Sequence, residues 1–185
     1  MYYIYKMESI LAVDSNNGLS KNGIIPWKSK KDMLFFYKKT KNNIVIMGKN
    51  TYFSIPEENR PLKNRLNIIL TRTPSEYITS PYKEPIENNL IFTSDDKIYE
   101  TILANREKYS MLYPSLSSNF KIFIIGGLQI YERFLPLCQT VWVTYIKANF
   151  ECDLVFDYDF EKQFKGKIVE EDDSLKIVEY VAKEL

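Results

Sequence analysis

The chain of 185 residues contains no histidine and only two cysteines, Cys138 and Cys152. The absence of histidine excludes Ser-His-Asp triads, Cys-His dyads and histidine-ligated metal sites. The two cysteines form no CxxC motif and are too few for a thiolate cage, so we expect no metal site and a reducing compartment. Proton transfer must therefore rest on carboxylates, tyrosine, lysine or water.

Excess charge and long apolar runs are also missing. The 25 basic and 24 acidic residues give a net charge of +1, which offers no electrostatic case for binding nucleic acid or a membrane surface. No apolar run reaches the length of a membrane span, and the first residues lack the profile of a signal peptide. We therefore expect a cytoplasmic protein, and a chain of this length with 45% hydrophobic residues suits one globular domain over residues 1–185.

Short apolar strands alternate with helical patterns along the chain. Strands are predicted at residues 4–13, 44–47, 66–71, 90–93, 122–125, 140–146 and 153–156, with a hairpin at 167–171 and 175–182, and helices at 32–40, 52–55, 95–106 and from 128 onwards. This order predicts an α/β fold with a mostly parallel sheet and an antiparallel edge. Residues 107–119 are predicted to form a surface insertion.

Gly126 and Gly127 separate a buried strand from a helix, and Gly48 precedes a second helix, where Lys49 adds a cation. Glycines at such a junction let a phosphate approach the backbone N–H groups at the positive end of a helix. The alternative is a plain turn in which the glycines only permit a tight corner.

A third predicted strand ends at Thr71 and Arg72. Ligands of open α/β sheets lie beyond the carboxyl ends of the strands, so all three junctions are expected to face one cleft. By analogy with dinucleotide folds, a hydroxyl and a guanidinium at this position favour NADP over NAD. The alternative for Lys49 and Arg72 is ordinary solvated charge.

Asp32 has two competing interpretations. Ser29 and Asp32 have the spacing of a capping box, in which the acid reaches back to the N–H of the N-cap residue. Alternatively, Asp32 shares a helix face with Phe36 and follows Trp27 closely, so it could lie in an apolar ligand pocket, where burial raises its pKa. The spacing alone does not decide between these two roles.

Taken together, these motifs resemble the dihydrofolate reductase family in order and spacing over residues 7–156. The matching residues are Ile10-Leu11-Ala12, Gly18, Pro26-Trp27, Asp32 with Phe36, Met47-Gly48-Lys49 with Thr51, Ser54-Ile55-Pro56, Arg60 to Arg65, Asn67 to Arg72, Ile125-Gly126-Gly127 and Tyr131. The chain is also similar to the reductase half of fused reductase–thymidylate synthase enzymes, but it ends where a synthase would begin. We therefore expect a monofunctional reductase.

The resemblance implies a single-domain, twisted, mostly parallel sheet of eight strands, with an antiparallel last strand and about four flanking helices. It implies reduction of 7,8-dihydrofolate to 5,6,7,8-tetrahydrofolate by NADPH, which supplies one-carbon metabolism and thymidylate synthesis. It also implies antifolate inhibitors as a class of ligand, and we expect a monomer.

The resemblance further assigns roles to individual residues. Asp32 would bind the pterin and promote its protonation, Trp27 would hold a water, Thr144 would complete the hydrogen-bond set, and Tyr131 would approach both reactants. Arg65 would bind the α-carboxylate of the glutamate tail. The remaining residues of the substrate pocket would be Ile10, Ala12, Met33, Phe36, Ser54, Ile55, Leu62 and Ile125.

The cofactor residues implied by the resemblance follow the strand ends. Ala12, Leu19 and Ser20 would contact the nicotinamide, and Thr71 and Arg72 would bind the 2′-phosphate. The others are Gly48, Lys49, Thr51, Leu70, Gly126, Gly127, Leu128, Gln129 and Ile130. Asn50 and Gln129 stand where family members frequently carry other side chains, which leaves the number of phosphate-binding cations open. Residues 18–25, named here the lid loop, would cover the nicotinamide.

Two other functions are compatible with parts of this pattern. A reductase of the same fold that acts on a pyrimidine of riboflavin synthesis is expected to lack the combination of Asp32 and Arg65. A former reductase kept as a binding module is disfavoured, because the acid, the glycines and the phosphate-compatible groups all occur together.

Overall fold

A computed structural model describes residues 7–77 and 89–183. The strands are β1 (Met7–Val13), β2 (Gly18–Ser20), β3 (Ile44–Gly48), β4 (Leu66–Leu70), β5 (Leu90–Thr93), β6 (Ile122–Ile124), β7 (Thr140–Ile146), β8 (Leu154–Val155), β9 (Phe164–Glu171) and β10 (Leu175–Ala182). The α-helices are α1 (Lys30–Thr40), α2 (Lys49–Ser54), α3 (Ile98–Ala104), α4 (Arg106–Leu112) and α5 (Leu128–Phe134). Residues 4–6 of the first predicted strand lie outside the described residues.

The predicted eight-stranded, mostly parallel sheet is confirmed, with the order β5-β4-β3-β6-β1-β7-β10-β9. From β5 to β7 in this order, the six strands pair in parallel with their neighbours. Strand β10 pairs antiparallel with both β7 and β9. The central strands are continuous β-branched and aromatic runs because both of their faces are buried. Each parallel strand therefore ends at the same edge of the sheet.

Helices cover both faces of this sheet. One core contains Leu11 of β1 together with Ile102 of α3 and Phe134 of α5, and the other contains Ile10 of β1 together with Tyr52 of α2. Alternate residues of β1 thus enter different cores, as the period of a strand requires. None of the helices in the described ranges is long and apolar enough to cross a membrane.

The helix count and several boundaries differ from the predictions. The described residues form five α-helices, not about four, because the helical stretch after β5 breaks at Asn105 and continues as α4. Helix α2 begins three residues earlier than predicted, with Gly48 as its N-cap. The predicted insertion at residues 107–119 contains most of α4, and its Leu116 is buried against the core. That the segment is an insertion stays a prediction.

Candidate active site

The carboxyl ends of the central strands meet at one cleft. The N–H of Gly48, at the end of β3, donates to the carbonyl of Gly126, just after β6, over 2.8 Å. In the neighbouring pair, Ala12 of β1 lies opposite Thr144 of β7. The parallel topology therefore brings the predicted glycine junctions and the end of β1 together along one edge.

The contacts of Ser29 and Asp32 at the start of α1 distinguish between the two interpretations of Asp32. Ser29 is the N-cap, and its hydroxyl accepts a hydrogen bond from the backbone N–H of Asp32 over 3.2 Å. The Asp32 carboxylate instead interacts with the side chains of Trp27 and Thr144. The serine therefore caps the helix, while the acid is turned towards β7 and the cleft.

The surroundings of the Asp32 carboxylate disfavour its charge. The side chain is half-buried, and burial raises the pKa of Asp32, although Thr144 and Trp27 oppose this shift. The buried Thr144 hydroxyl lies near the carboxylate without the geometry of a regular hydrogen bond, and its oxygen has no hydrogen-bond partner among the described residues. The site thus offers an acid and a hydroxyl that a polar ligand can satisfy together.

Trp27 and Tyr131 form fixed walls near this acid. Trp27 is buried and packs at a tilt against Phe150, with 5.7 Å between the ring centroids. The Tyr131 hydroxyl donates to the carbonyl of Ile10 over 3.0 Å. Burial, with a smaller effect of the nearby Asp32, raises the pKa of Tyr131 well above its usual range, so the phenol stays protonated and remains a donor.

Arg65 is a buried cation, with 6% of its surface exposed. Its guanidinium donates to the carbonyl of Lys63 over 2.9 Å and to the Thr40 hydroxyl over 3.1 Å, and it lies beside the Phe36 and Tyr37 rings. Burial lowers the pKa of Arg65. Within residues 7–77 and 89–183, no salt bridge involves this side chain. A desolvated guanidinium of this kind can bind a carboxylate strongly.

Gly126 and Gly127 stand where a side chain would crowd neighbouring side chains of the protein. Gly126 has a φ of +110°, and a Cβ there would lie 3.1 Å from the Tyr131 ring. A Cβ on Gly127 would lie 3.0 Å from the Thr51 hydroxyl. The two glycines precede α5, whose N-cap is Gly127. The backbone of the two glycines therefore lies directly against Tyr131 and Thr51, and the phosphate site predicted here stays a prediction.

The other predicted site residues differ in exposure. Ile10, Leu19 and Ile125 are buried, whereas Met33 is 69% exposed. Lys49 lies 5.6 Å from the centroid of the Tyr77 ring. Half-buried positions are occupied by Ala12, Ser20, Phe36, Gly48, Thr51, Ile55, Leu62, Leu70, Thr71, Leu128 and Ile130, and exposed positions by Ser54, Arg72 and Gln129. The cations predicted at the strand ends therefore remain accessible to solvent.

The lid loop is anchored at its start by Asp14, a residue to which the sequence analysis assigned no role. The Asp14 carboxylate accepts hydrogen bonds from the N–H groups of Asn16, Gly18 and Phe150, each within 2.9 Å. Burial alone would raise the pKa of Asp14, but these bonds outweigh it and hold the pKa below its usual value. The acid thereby ties the lid loop to the chain after β7.

The lid loop also pairs with a later segment. Strand β2 pairs antiparallel with β8, and Asn22 donates its N–H to the Asp153 carboxylate over 2.7 Å. Beyond these anchors, Ile24 and Ile25 are 57% and 62% exposed. The loop therefore has a fixed base and an apolar, exposed tip.

Sequence reasoning also missed Phe35, which faces inwards from α1 and makes an edge contact with Trp142 at 5.8 Å. Its neighbour Phe36 was predicted to share a helix face with Asp32, and both half-buried rings pack against the same core. In the part of the chain that the structure describes, no cluster of three or more acidic or cysteine side chains could hold a metal ion.

Comparisons with known proteins identify relatives over most of the chain. The family model described as dihydrofolate reductase matches residues 6–181. The dihydrofolate reductase of Bos taurus is 35% identical over 84% of this chain and 81% of its own, and that of Aedes albopictus is 33% identical over 82% and 78%. A bifunctional dihydrofolate reductase-thymidylate synthase of Daucus carota is 37% identical over 78% of this chain. The matched region spans only 26% of that longer protein.

Proposed function

The chain belongs to the dihydrofolate reductase family, and from this premise we propose that it reduces 7,8-dihydrofolate to 5,6,7,8-tetrahydrofolate with NADPH. The observation that carries the proposal is the Asp32 carboxylate, half-buried beside Trp27 and a Thr144 hydroxyl that has no hydrogen-bond partner within the described part of the chain. The product would supply one-carbon metabolism and thymidylate synthesis. We propose further that the protein acts as a cytoplasmic monomer whose single domain covers residues 1–185.

Asp32 is proposed to bind the 2-amino group and the adjacent ring nitrogen of the pterin. In the free protein its charge is poorly solvated, which is why its pKa is raised. A pterin that becomes cationic compensates this charge, so the carboxylate favours protonation of the substrate. The Thr144 hydroxyl then gains the hydrogen-bond partner that it lacks among the described residues.

The proton itself must travel through water, because the acid contacts the side of the ring remote from nitrogen 5. Trp27 is proposed to hold that water, and Tyr131 keeps the Ile10 carbonyl fixed towards the reacting ring. NADPH, when bound, supplies the hydride that carbon 6 accepts, while nitrogen 5 takes a proton from solvent. The balance is dihydrofolate, NADPH and one proton giving tetrahydrofolate and NADP⁺.

The rest of the substrate is proposed to lie along α1 and the chain after α2. Phe36, Ile55 and Leu62 pack against one core and present apolar surface for the benzoyl group. Arg65 is proposed to bind the α-carboxylate of the glutamate tail, which provides the anion that this buried guanidinium lacks among the described residues. Met33, which is mostly exposed, would become covered when the substrate binds.

The residues at the nucleotide side fit NADPH. Gly126 and Gly127 carry no side chain before α5, and a diphosphate is proposed to approach their backbone N–H groups. Lys49 is proposed to neutralise part of that charge, and Arg72 to bind the 2′-phosphate together with Thr71. The lid loop would exclude water from the reacting atoms while its base stays anchored by Asp14.

One assay tests the proposal. Purified protein is mixed with NADPH and dihydrofolate, and the loss of NADPH absorbance is followed with and without an antifolate. We expect turnover that needs both reactants and that the antifolate blocks. Antifolate-resistant turnover, or turnover of a reduced pyrimidine precursor in place of dihydrofolate, would assign the site to another reaction.

A further inference from the structure

Asn67 places a primary carboxamide at a fully buried position of β4, with 0% of its surface exposed. Its Oδ1 accepts a hydrogen bond from the backbone N–H of Leu62 over 2.9 Å. Its Nδ2 carries two hydrogens and lies within hydrogen-bond distance of three carbonyls, those of Leu62 at 2.9 Å, Arg65 at 3.0 Å and Asn89 at 3.2 Å, so one hydrogen is shared between two of them. Every polar atom of this side chain is therefore used, and each bond goes to backbone.

These bonds join β4 to the loop that precedes it. The carboxamide pairs with both the N–H and the C=O of Leu62, much as a neighbouring strand would, and it also binds the carbonyl of Arg65. Between them, Asn64 has a φ of 58°, a left-handed conformation that asparagine tolerates. One side chain therefore fixes both ends of the turn that carries Leu62 and Arg65.

The Arg65 guanidinium is held both by this turn and by α1. It donates to Lys63 of the same loop and to Thr40 at the end of α1. Its position thus depends on two structural elements, helix α1 and the turn fixed by Asn67. Loss of the Asn67 bonds would leave the guanidinium attached to α1 while the backbone that carries it becomes free to shift.

We propose that Asn67 is a positioning residue for the carboxylate-bearing tail of the substrate, acting through Leu62 and Arg65. This inference rests on the proposed function, in which Arg65 binds that carboxylate. Asn67 itself is enclosed by backbone and touches neither reactant. Its contribution is to keep an apolar wall and a cation at a constant separation, so that one ligand can contact both.

The experiment compares two ligands that differ only in the tail, folate and its analogue without the glutamate. Dissociation constants are measured by quenching of protein fluorescence for wild type, Asn67→Ala, Arg65→Leu and the double variant. Gln139→Ala is the matched control, because that side chain also bridges two backbone groups, Met7 N–H and Leu137 C=O, beside β1, which lies three positions from β4 in the strand order.

We expect the wild type to bind folate more tightly than the analogue, and Arg65→Leu to remove about a hundredfold of this preference. Asn67→Ala should remove about tenfold, since the cation remains but is poorly placed. The double variant should lose no more of the preference for folate than Arg65→Leu loses alone. In turnover, Asn67→Ala should raise KM for dihydrofolate with little change in kcat, and Gln139→Ala should alter neither the preference nor KM.

A merely structural Asn67 would give a different result. Asn67→Ala would then weaken the binding of both ligands equally, or it would lower the stability of the protein, as Gln139→Ala does, while keeping the full preference for folate over the analogue. Either outcome overturns the inference. If Asn67→Ala does not fold, Asn67→Ser, which keeps a hydroxyl able to accept from Leu62, is judged by the same ratio. A wild type without any preference for the tail, or an Arg65→Leu variant that keeps it, would contradict the proposed function instead.

Discussion

Asp32→Asn removes one negative charge from the cleft while keeping the size and most of the hydrogen-bonding capacity of the side chain. An opposite charge within about 4–6 Å shifts a pKa by about one to three units, and one unit corresponds to a factor of ten. With the ionised acid beside the pterin, we expect a shift of about two units in the substrate. The variant should therefore transfer hydride about a hundredfold more slowly at pH 7.

The same reasoning predicts the direction in which the rate of hydride transfer changes with pH. In the variant, solvent alone protonates the substrate, so the rate should rise about tenfold for each unit by which pH falls. In the wild type, the ionised acid raises the pKa of the bound substrate, so the substrate is already largely protonated at a higher pH and the rate changes less as pH falls. The two rates should therefore converge in acid.

The assay is a single turnover, in which NADPH consumption is followed after rapid mixing and deuterated NADPH confirms that hydride transfer is observed. Ser29→Ala is the matched control, because it removes the N-cap hydrogen bond and about 0.5–2 kcal/mol of stability without changing the carboxylate. A wild-type rate of hydride transfer in Asp32→Asn at pH 7 would refute the reasoning. So would a rate in Ser29→Ala as slow as that of Asp32→Asn.

The same substitution has a consequence for stability without ligand. A folded carboxylate with a raised pKa favours the protonated form, so its ionisation destabilises the fold above that pKa, and the effect vanishes below the unfolded value of about 3.9. Asp32→Asn should therefore unfold at a higher temperature than the wild type at pH 7 and not at pH 3. Equal melting temperatures at both pH values would contradict a desolvated acid.

Three further substitutions test other parts of the cleft. Arg72→Gln should reduce the preference for NADPH over NADH by about ten- to a hundredfold in kcat/KM, and an unchanged ratio would mean that another cation binds the 2′-phosphate. Gly127→Ala should raise KM for NADPH by about tenfold, because its Cβ would meet the Thr51 hydroxyl at 3.0 Å; an unchanged KM would exclude close approach of a ligand there. Asp14→Asn places an N–H₂ group against the Phe150 N–H and should lower the free energy of unfolding by about 1–3 kcal/mol at pH 7. Since the pKa of Asp14 is lowered, its stabilisation is present above about pH 4 and is lost as pH falls through that pKa, so a difference in urea unfolding that persists in strong acid would count against this role.

The parallel sheet was predictable from sequence because its strands are short, continuous apolar runs, such as residues 122–125 before Gly126. Strand β2 was not predicted, whereas β8 lies within the strand predicted at residues 153–156. They contain three and two residues, and β2 forms only because the lid loop folds back onto a segment about 135 positions later. The break between α3 and α4 at Asn105 likewise interrupts a stretch that reads as one helix.

The candidate site shows a similar division. The spacing of Ser29 and Asp32 predicted a helix start, but it could not say which way the carboxylate turns, since that depends on Trp27 and on Thr144, which is 112 positions further along. Asn67 was part of a recognised motif, yet its role depends on a turn that brings the Leu62 peptide against its carboxamide. A local sequence pattern does not predict the tertiary contacts of single side chains.

The central claim is that Asp32 receives the pterin, and a crystal structure of the protein with folate and NADP⁺ tests it most directly. The account predicts both carboxylate oxygens within hydrogen-bond distance, about 2.7–3.2 Å, of the 2-amino group and the adjacent ring nitrogen. A ring bound elsewhere in the cleft, with Asp32 in contact only with Trp27 and Thr144, would contradict it.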